Sequence, residues 1–493
     1  MRHDPFGLGV ASGSPTHEGV VLWTRLQWQE PMPSPVTLRW EVAHDEAFTR
    51  IVRQGQVQAL PELAHAVHAE VTGLAPDRWY HYRFMLGDAV SRVGRTRTFP
   101  LPEARVGRLR LGYASCQRWE HGYYSAWRHM QSEQLDAVLF LGDYIYEYPG
   151  AVNAARAVPG GWVRTLDDYR RRHALHKSDA DLQGMHASCP WLMTWDDHEV
   201  QNDYAGLQEG SAVPLVGTVA DFAARRAAAY QAYYEHMPLH SSVLTQALAG
   251  LSQGAEMRIY RQVSFGQLAS IYLLDSRQYR DPQVCTRDGK LGASLVDPAR
   301  CPSWSDPQRT YLGRAQEQWL DAALARTAGQ WNVLGQQTLF GMRDAKPGPG
   351  QSLWNDGWDG YAAARTRLTD TLRRHRVGNP VFLGGDVHEN WVGHVKADYA
   401  QAHSPTVGVE FCGTSITSRS GGQAQVSERL AENPHFVFGD AQYRGYGVAE
   451  FTPGQLTTTL RAVEDASRPD AGVMTLARFQ VAHGRPRIET LGV

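Results

Sequence analysis

Cysteine is scarce in this chain, with only Cys116, Cys189, Cys285, Cys301 and Cys412 among 493 residues. They form neither the dense framework of a disulfide-stabilised domain nor the paired Cys-x-x-Cys spacing of a zinc site. Cys285 and Cys301 bound the polar loop CTRDGKLGASLVDPARC. On spacing alone, one disulfide in an oxidising compartment and two unpaired thiols are equally good readings. Long apolar runs are missing too, so no segment is expected to span a bilayer. The N-terminus MRHDPFGLGVASGSP has no basic stretch followed by an apolar one, and no signal peptide is visible. A periplasmic or secreted mature form, its leader replaced by a Met, and a cytoplasmic protein both fit that observation. Charge of one sign is absent as well. With 49 basic and 51 acidic residues the net charge is -2, which leaves no basic footprint for nucleic acid and no polyacidic tail. No His-Glu-x-x-His motif appears, which argues against a helix-borne zinc peptidase site.

Aromatic residues, by contrast, are plentiful, with 15 Trp and 21 Tyr, and argue against disorder. The length calls for two domains or one large decorated domain. Short alternating runs fill the first hundred residues: GVVLWTRL, PVTLRWEVA, IVRQGQVQA, HAVHAEVTGL, WYHYRFML and SRVGRTRTF. Separated by Pro, Gly and Asp, they predict a small antiparallel β-sandwich of the fibronectin or immunoglobulin type over residues 1–102. From 108 to 493 the pattern changes to a larger α/β domain. LRLGYASC, LDAVLFLGD, PWLMTWDD, LASIYLLDS, QWNVLGQQ and NPVFLGGD read as buried strands that end in polar residues, where α/β sites are built. Between them YSAWRHMQSEQL, VADFAARRAAAYQAYYEHM, RAQEQWLDAALART and YAAARTRLTDTLRRHR carry apolar residues at helical spacing.

Two of the strand ends echo one another, VLFLGDYIYEY and PVFLGGDVHENW. Asp143 is followed by Tyr146, and Asp386 by His388. A third strand end, LMTWDDHEVQNDY, carries Asp196, Asp197, His198, Glu199 and Asp203, and a fourth carries Cys116. A lone Gly-Asp after a strand is usually a turn, and a lone Cys is usually a small buried hydrophobe. Four such ends converging in one sheet would repel strongly without a cation between them. Thiolate, phenolate, carboxylate and imidazole together suit ferric iron. The remaining carboxylates suit a hard cation such as calcium or magnesium, and zinc at one position stays open. Asp143 is the candidate bridge between two ions.

LFLGDYIYEY, TWDDHEVQNDYAG, LDSRQYRD, WNDGWDGY and FLGGDVHENW, in this order, resemble the PhoD-like alkaline phosphatase and phosphodiesterase family of the calcineurin-type metallophosphoesterases. GVASGSPTHEGVVLWTRL resembles the small β-sandwich that precedes the catalytic domain there, so the likeness covers essentially the whole chain. It implies a four-layer α/β/β/α metallophosphoesterase domain with Fe(3+) and Ca(2+) at the strand ends. Cys116, Asp143, Tyr146 and His388 match the iron side. Asp197 and Asp386 face the second metal, with Asn202 and Asp203 as further calcium candidates. The chain departs from the broader superfamily: Cys116 replaces the first Asp-x-His motif. Asp196-Asp197-His198 replaces Gly-Asn-His, and Gly385-Asp386-Val387-His388 replaces Gly-His-x-His. These changes exchange neutral ligands for anionic ones and favour more highly charged cations.

The expected activity is hydrolysis of small phosphomonoesters, phosphodiesters or both, by a metal-activated hydroxide attacking phosphorus. His198 is the candidate for protonating the leaving group or orienting the nucleophile, against a structural His held by a carboxylate. Arg225, Arg226 and Arg277 are candidates for the free phosphoryl oxygens, although most helical arginines are merely solvated. Trp354, Trp358 and Tyr361 either wall the pocket or pack as an aromatic loop. Alternatives are a phospholipase-like phosphodiesterase of the same fold and a non-catalytic calcium-binding surface module. The Cys, Tyr and His donors argue against the latter, since calcium modules use oxygen ligands. A monomer acting on small-molecule phosphate esters is expected. Export through the twin-arginine pathway is common in the family.

Overall fold

The computed structural model describes residues 4–492 apart from 31, 152, 212–216, 288, 289 and 402. Its organising feature is the strand Ala137–Phe140, a four-residue apolar run buried on both faces. Leu139 points into one core and Val138 and Phe140 into another, as a period-two strand between two layers requires. Leu139 meets Ile271, Val333, Val381 and Leu383 of a second sheet. Val138 and Phe140 instead meet Trp127, Trp191, Tyr230 and Tyr233 beneath helices. The second sheet alternates likewise. Leu334 and Phe382 turn outward onto Leu320, Leu324, Leu368 and Leu372 of the helices Arg314–Ala325 and Ala362–Arg374. Two facing sheets with helices outside each make the α/β/β/α architecture.

The first sheet has ten strands. In its middle Leu109–Ala114, Ala137–Phe140 and Trp191–Met193 run parallel. The C-terminal strands Arg444–Phe451, Gln455–Val463, Val473–Ala482 and Ile488–Leu491 extend one side antiparallel. The seven-stranded sheet is built around Ala269–Leu273, Trp331–Gly335, Pro380–Gly384 and Thr406–Cys412, all parallel.

The N-terminal strands continue the first sheet. Val10–Gly13 lies parallel to Trp191–Met193, and Val20–Arg25 and Ala66–Val71 follow antiparallel. A five-stranded antiparallel sheet containing Val36–Ala43, Ile51–Ala59 and Trp79–Leu86 covers them, with Leu22, Val67 and Val71 against Leu38, Val42, Tyr82 and Phe84. This is a sandwich in which one sheet is shared with its neighbour. His68 strengthens the join: its Nε2 lies 2.9 Å from the carbonyl of Tyr234, whose ring stacks on it.

All four helical patterns contain helices, and Val219–His236 starts with a capping box between Thr218 and Asp221, worth about 1 kcal/mol. Leu166–Lys177, Ala180–His186 and Gln423–Glu432 are helices that apolar periodicity did not announce. The first buries Tyr169, Arg172, His173, His176 and Lys177, so its inward face is polar in sequence. Cys285 and Cys301 are disulfide-bonded, Cα to Cα 5.9 Å.

Candidate metal centre

Every strand end singled out above opens onto one space. Cys116 follows Leu109–Ala114, Asp143 follows Ala137–Phe140 and Asp197 follows Trp191–Met193, all in one sheet. Asp386 and His388 follow Pro380–Gly384 of the facing sheet. The chain must turn sharply after each strand to aim a side chain inward. Cys116, Asp143, Asp203, Asp386 and His388 accordingly have positive φ, between 57° and 64°. Such conformations cost of order 1–3 kcal/mol each for residues with a Cβ and persist where the surroundings overdetermine them. Gly142, just before Asp143, has φ 112°, and a Cβ there would lie 2.5 Å from the backbone nitrogen of Asp196. Only glycine fits that crossing.

The turns are held by buried polar clamps. Glu199 accepts from the backbone N–H of Asp143 at 3.0 Å, of Tyr144 at 2.5 Å and of Asp196 at 2.8 Å. Gln337 donates to the carbonyl of Trp195 at 2.9 Å, while its own backbone carbonyl accepts from Gly385 at 2.9 Å. That one residue ties the loops of the two sheets together. Trp195 stacks on Tyr230 with centroids 4.3 Å apart, which fixes the entry to the acidic loop.

Among the described residues four groups of donors result, with ligand atoms within 4.8 Å of one another in each: Cys116 with Asp143 and His388; Asp143 with Asp197 and His198; Asp143 with Asp196 and Asp386; and Asp197 with Asp203 and Asp356. Asp143 belongs to three of them. Tyr146 joins the first, its hydroxyl donating to Asp143 Oδ2 at 3.0 Å and lying 3.3 Å from His388 Nε2. Ser418 Oγ donates to the same hydroxyl at 2.7 Å.

The electrostatics call for a cation. Burial, with the charges of Asp197, Asp196 and Glu199 added, pushes the Asp143 carboxyl well above the usual carboxylate range, although His198 pulls it down. Burial and acidic neighbours raise Asp386 to about 6 and Asp203 to about 6. Burial, then Asp143 and Cys116, push the Tyr146 phenol up, so it ionises only beside a positive ion. Burial lowers His388 to about 3, which leaves it the neutral imidazole a metal binds. Among the described residues Asp196 Oδ2 is buried with no hydrogen-bond partner, an arrangement a bound ion would satisfy. Donor set, charge and orphaned oxygen all fit metal ions.

The comparisons with known proteins agree. A family model described as PhoD-like phosphatase matches residues 111–460, and one for the PhoD-like phosphatase N-terminal domain matches residues 1–100. This chain belongs to the PhoD-like phosphatase family. Alkaline phosphatase D of Bacillus subtilis (strain 168) is 44% identical over 490 residues, covering 96% of this chain and 80% of that protein. A solved structure titled "Structure of PhoD" superposes with a TM-score of 0.92 at 41% identity, covering 100% of this chain and 93% of that one.

Within this PhoD-like site, the expected ligands Cys116, Asp143, Tyr146, Asp197, Asp203, Asp386 and His388 are brought together. Asn202 stands at the edge, its Nδ2 donating to Ser211 Oγ at 2.6 Å while Ser211 donates to Asp203 Oδ2 at 2.6 Å. The three arginines expected for substrate are engaged otherwise. Arg225 donates to Tyr169 and to the carbonyl of Val163, and Arg226 to the carbonyl of Gly206. Arg277 reaches the site but is buried. Its Nε donates to Asp196 at 2.5 Å, Nη1 donates to Asp356 at 3.0 Å and Nη2 lies 3.5 Å from Asp197. Against the burial that would raise it, Arg277 and His198 hold Asp197 below the usual carboxylate range. Trp358 and Tyr361 are packed against Tyr311, and Trp354 is partly exposed.

Four residues take roles that sequence reasoning did not assign, although Asp196 and Glu199 were already among the acids noted after Trp191–Met193. Glu147 accepts from or pairs with His198 Nδ1 at 2.7 Å, and Glu199 clamps the turns. Asp196 was visible in the DDH triplet, and Asp356 in WNDGWDGY, where it pairs with Arg277 and Arg280. The doubled acid was the signal for Asp196; nothing local distinguished Glu147 from any acid in a YEY segment.

Proposed function

We propose that this PhoD-like phosphoric ester hydrolase cleaves small phosphate esters at the Asp143-centred cluster. Ferric iron would be held by Cys116, Asp143, Tyr146 and His388, and calcium by Asp197, Asp386 and Asp203, with Asn202 at the edge. The observation that carries this reading is the sharing of Asp143 by three donor groups on strand ends from both sheets. Bound metal supplies Lewis acidity toward the phosphoryl oxygens and acidifies the attacking water.

The chain's own contribution is orientation and proton transfer. His198 stacks on Tyr146 with ring centroids 4.1 Å apart, and its Nδ1 is taken by Glu147. That leaves Nε2 to donate a proton to the departing alkoxide. Burial alone would favour neutral imidazole, but Glu147, Asp197 and Asp143 outweigh it and raise His198 well above its ordinary value. That upward direction favours the protonated imidazole, the form a proton donor needs. The Cys285–Cys301 disulfide supports an oxidising compartment, periplasmic or secreted.

The test is elemental analysis of unchelated protein beside hydrolysis of p-nitrophenyl phosphate and bis-p-nitrophenyl phosphate, with and without calcium. Iron with calcium-dependent release of nitrophenol is expected, and the two substrates rank monoesterase against diesterase. Calcium without iron and without hydrolysis would overturn the assignment.

A further inference from the structure

With Arg225 and Arg226 directed elsewhere and Arg277 locked among acids, none of the arginines singled out in sequence offers a free guanidinium to the substrate. The site has another. Arg118 lies two residues beyond Cys116, and its backbone is fixed at the iron side. Its N–H donates to Ser418 Oγ at 3.3 Å and its carbonyl accepts from Thr417 Oγ1 at 2.7 Å. Ser418 is the residue that donates to the Tyr146 hydroxyl.

The side chain of Arg118 lies over the two tyrosines of the YIYEY turn, its Cζ 5.4 Å from the Tyr146 ring centroid and 4.7 Å from that of Tyr148. His198 approaches the same two rings, at 4.1 and 5.3 Å. Arg172 holds the turn beneath by donating to the carbonyls of Tyr146 and Tyr148. Arg118 therefore shares its platform with the proposed proton donor and with an iron-side ligand.

What is left over on Arg118 decides its role. Nε donates to Glu120 Oε1 at 2.6 Å, which sets the plane of the guanidinium. Among the described residues Nη1 and Nη2 donate no hydrogen bond, and the side chain is 19% exposed against 1% for Arg277. A planar fork with one edge anchored and the other open suits two oxygens of a phosphate. Arg419, exposed on the rim, adds charge nearby: its backbone N–H donates to His121 Nδ1 at 3.1 Å and its carbonyl lies 2.9 Å from His388 Nδ1. Burial first, then Arg118 and Arg419, hold His121 down at about 3, so both guanidinium groups act on the same rim.

We propose that Arg118 is the substrate-binding arginine of this site, gripping free oxygens of the phosphoryl group through Nη1 and Nη2 while Glu120 positions it. The inference rests on the phosphoesterase reading above and names a residue for it. The bland alternative is that Arg118 is only the counterion of the buried Glu120.

Inorganic phosphate is the probe, titrated calorimetrically into metal-loaded enzyme, with metal content measured on each variant. Arg118→Met should weaken phosphate binding by about 10- to 100-fold, the range for a lost charge-assisted pair, at unchanged iron and calcium. Arg118→Lys should fall between, since a point charge replaces the fork, and added guanidinium ion should restore part of the loss in Arg118→Met. Should Arg118→Met fail to fold because Glu120 is left unpaired, the Glu120→Gln/Arg118→Met double variant takes the same measurement. Phosphate affinity within twofold of wild type, with metals retained, would overturn the assignment. Loss of iron along with phosphate would also overturn it and make Arg118 a support for Tyr146. Wild-type protein that neither binds phosphate nor hydrolyses esters would instead sink the functional reading itself.

Discussion

Nδ1 of His198 lies 2.7 Å from Oε2 of Glu147, a carboxylate with no solvent exposure at all. The second oxygen of Glu147 accepts from the backbone N–H of Asn202 at 2.8 Å, so the carboxylate is fixed in position. The pair resembles other carboxylate–imidazole dyads in its logic: one ring nitrogen is held, which leaves the other for the proton transfer proposed above. Glu147→Gln should therefore keep the metals and lower kcat by about 10²-fold or more, within the range of general acid catalysis. Since Glu147 raises the His198 pKa, the alkaline limb of the pH–rate profile should move to lower pH. An unmoved limb would assign the loss to packing rather than to the proton donor.

Asp143 stands in three donor groups, and Cys116 in one. Asp143→Asn should lose both metals in part and reduce turnover at least about 10³-fold, because bridging charge and ligand vanish together. Cys116→Ala should lose iron preferentially and keep calcium. Elemental analysis with a visible absorption spectrum separates the two, and full iron in Cys116→Ala would refute that ligand.

Chelation should make stability depend on pH in a defined sense. Asp386 and Asp203 stand at about 6 in the fold against 3.8 as the ordinary value. A carboxyl raised in this way favours the folded state while protonated. Its contribution is complete below about pH 4 and is lost as pH rises through about 6. The chelated protein should melt lower at pH 8 than at pH 5, and added metal should raise the midpoint most at pH 8. Equal midpoints at the two pH values in chelator would contradict the charge argument.

The disulfide loop touches the Asp203 and Asp356 side of the donor cluster. The N–H of Ala293 donates to Asp203 Oδ2 at 3.0 Å, and the N–H of Ser294 donates to Asn355 Oδ1 at 2.6 Å, next to Asp356. Cys285 and Cys301 close this loop over a separation of 16 residues, a constraint worth about 3 kcal/mol in the chain-entropy account. Cys285→Ser/Cys301→Ser should lower the thermal midpoint and raise the calcium needed for half-maximal activity, with iron content unchanged. A calcium requirement equal to that of wild type would separate the loop from the site.

The strands and the candidate donor residues were legible because both are written locally. Runs such as AVLF and PVFLG are apolar at every position when a strand is buried on two faces, and a Gly-Asp follows where the chain must turn. The polar-faced helix Leu166–Lys177 was not legible, since its buried His173, His176 and Lys177 look like surface residues until Tyr124, Trp23 and Tyr144 are placed against them. Arg277 and Arg118 show the same limit for the site. Both are arginines near a motif, and only their surroundings differ.

By itself, then, the sequence determined the strand-and-turn grammar, the donor types and the family to which they belong, because hydrophobic period and ligand chemistry are properties of neighbouring residues. The tertiary structure alone decided which acids share one space, that Glu147 holds His198, that Cys285 meets Cys301, and which arginine keeps an open edge. Those outcomes depend on distances between segments far apart in the chain. Burial, charge pairing and hydrogen-bond satisfaction are settled only when the two sheets close on one another.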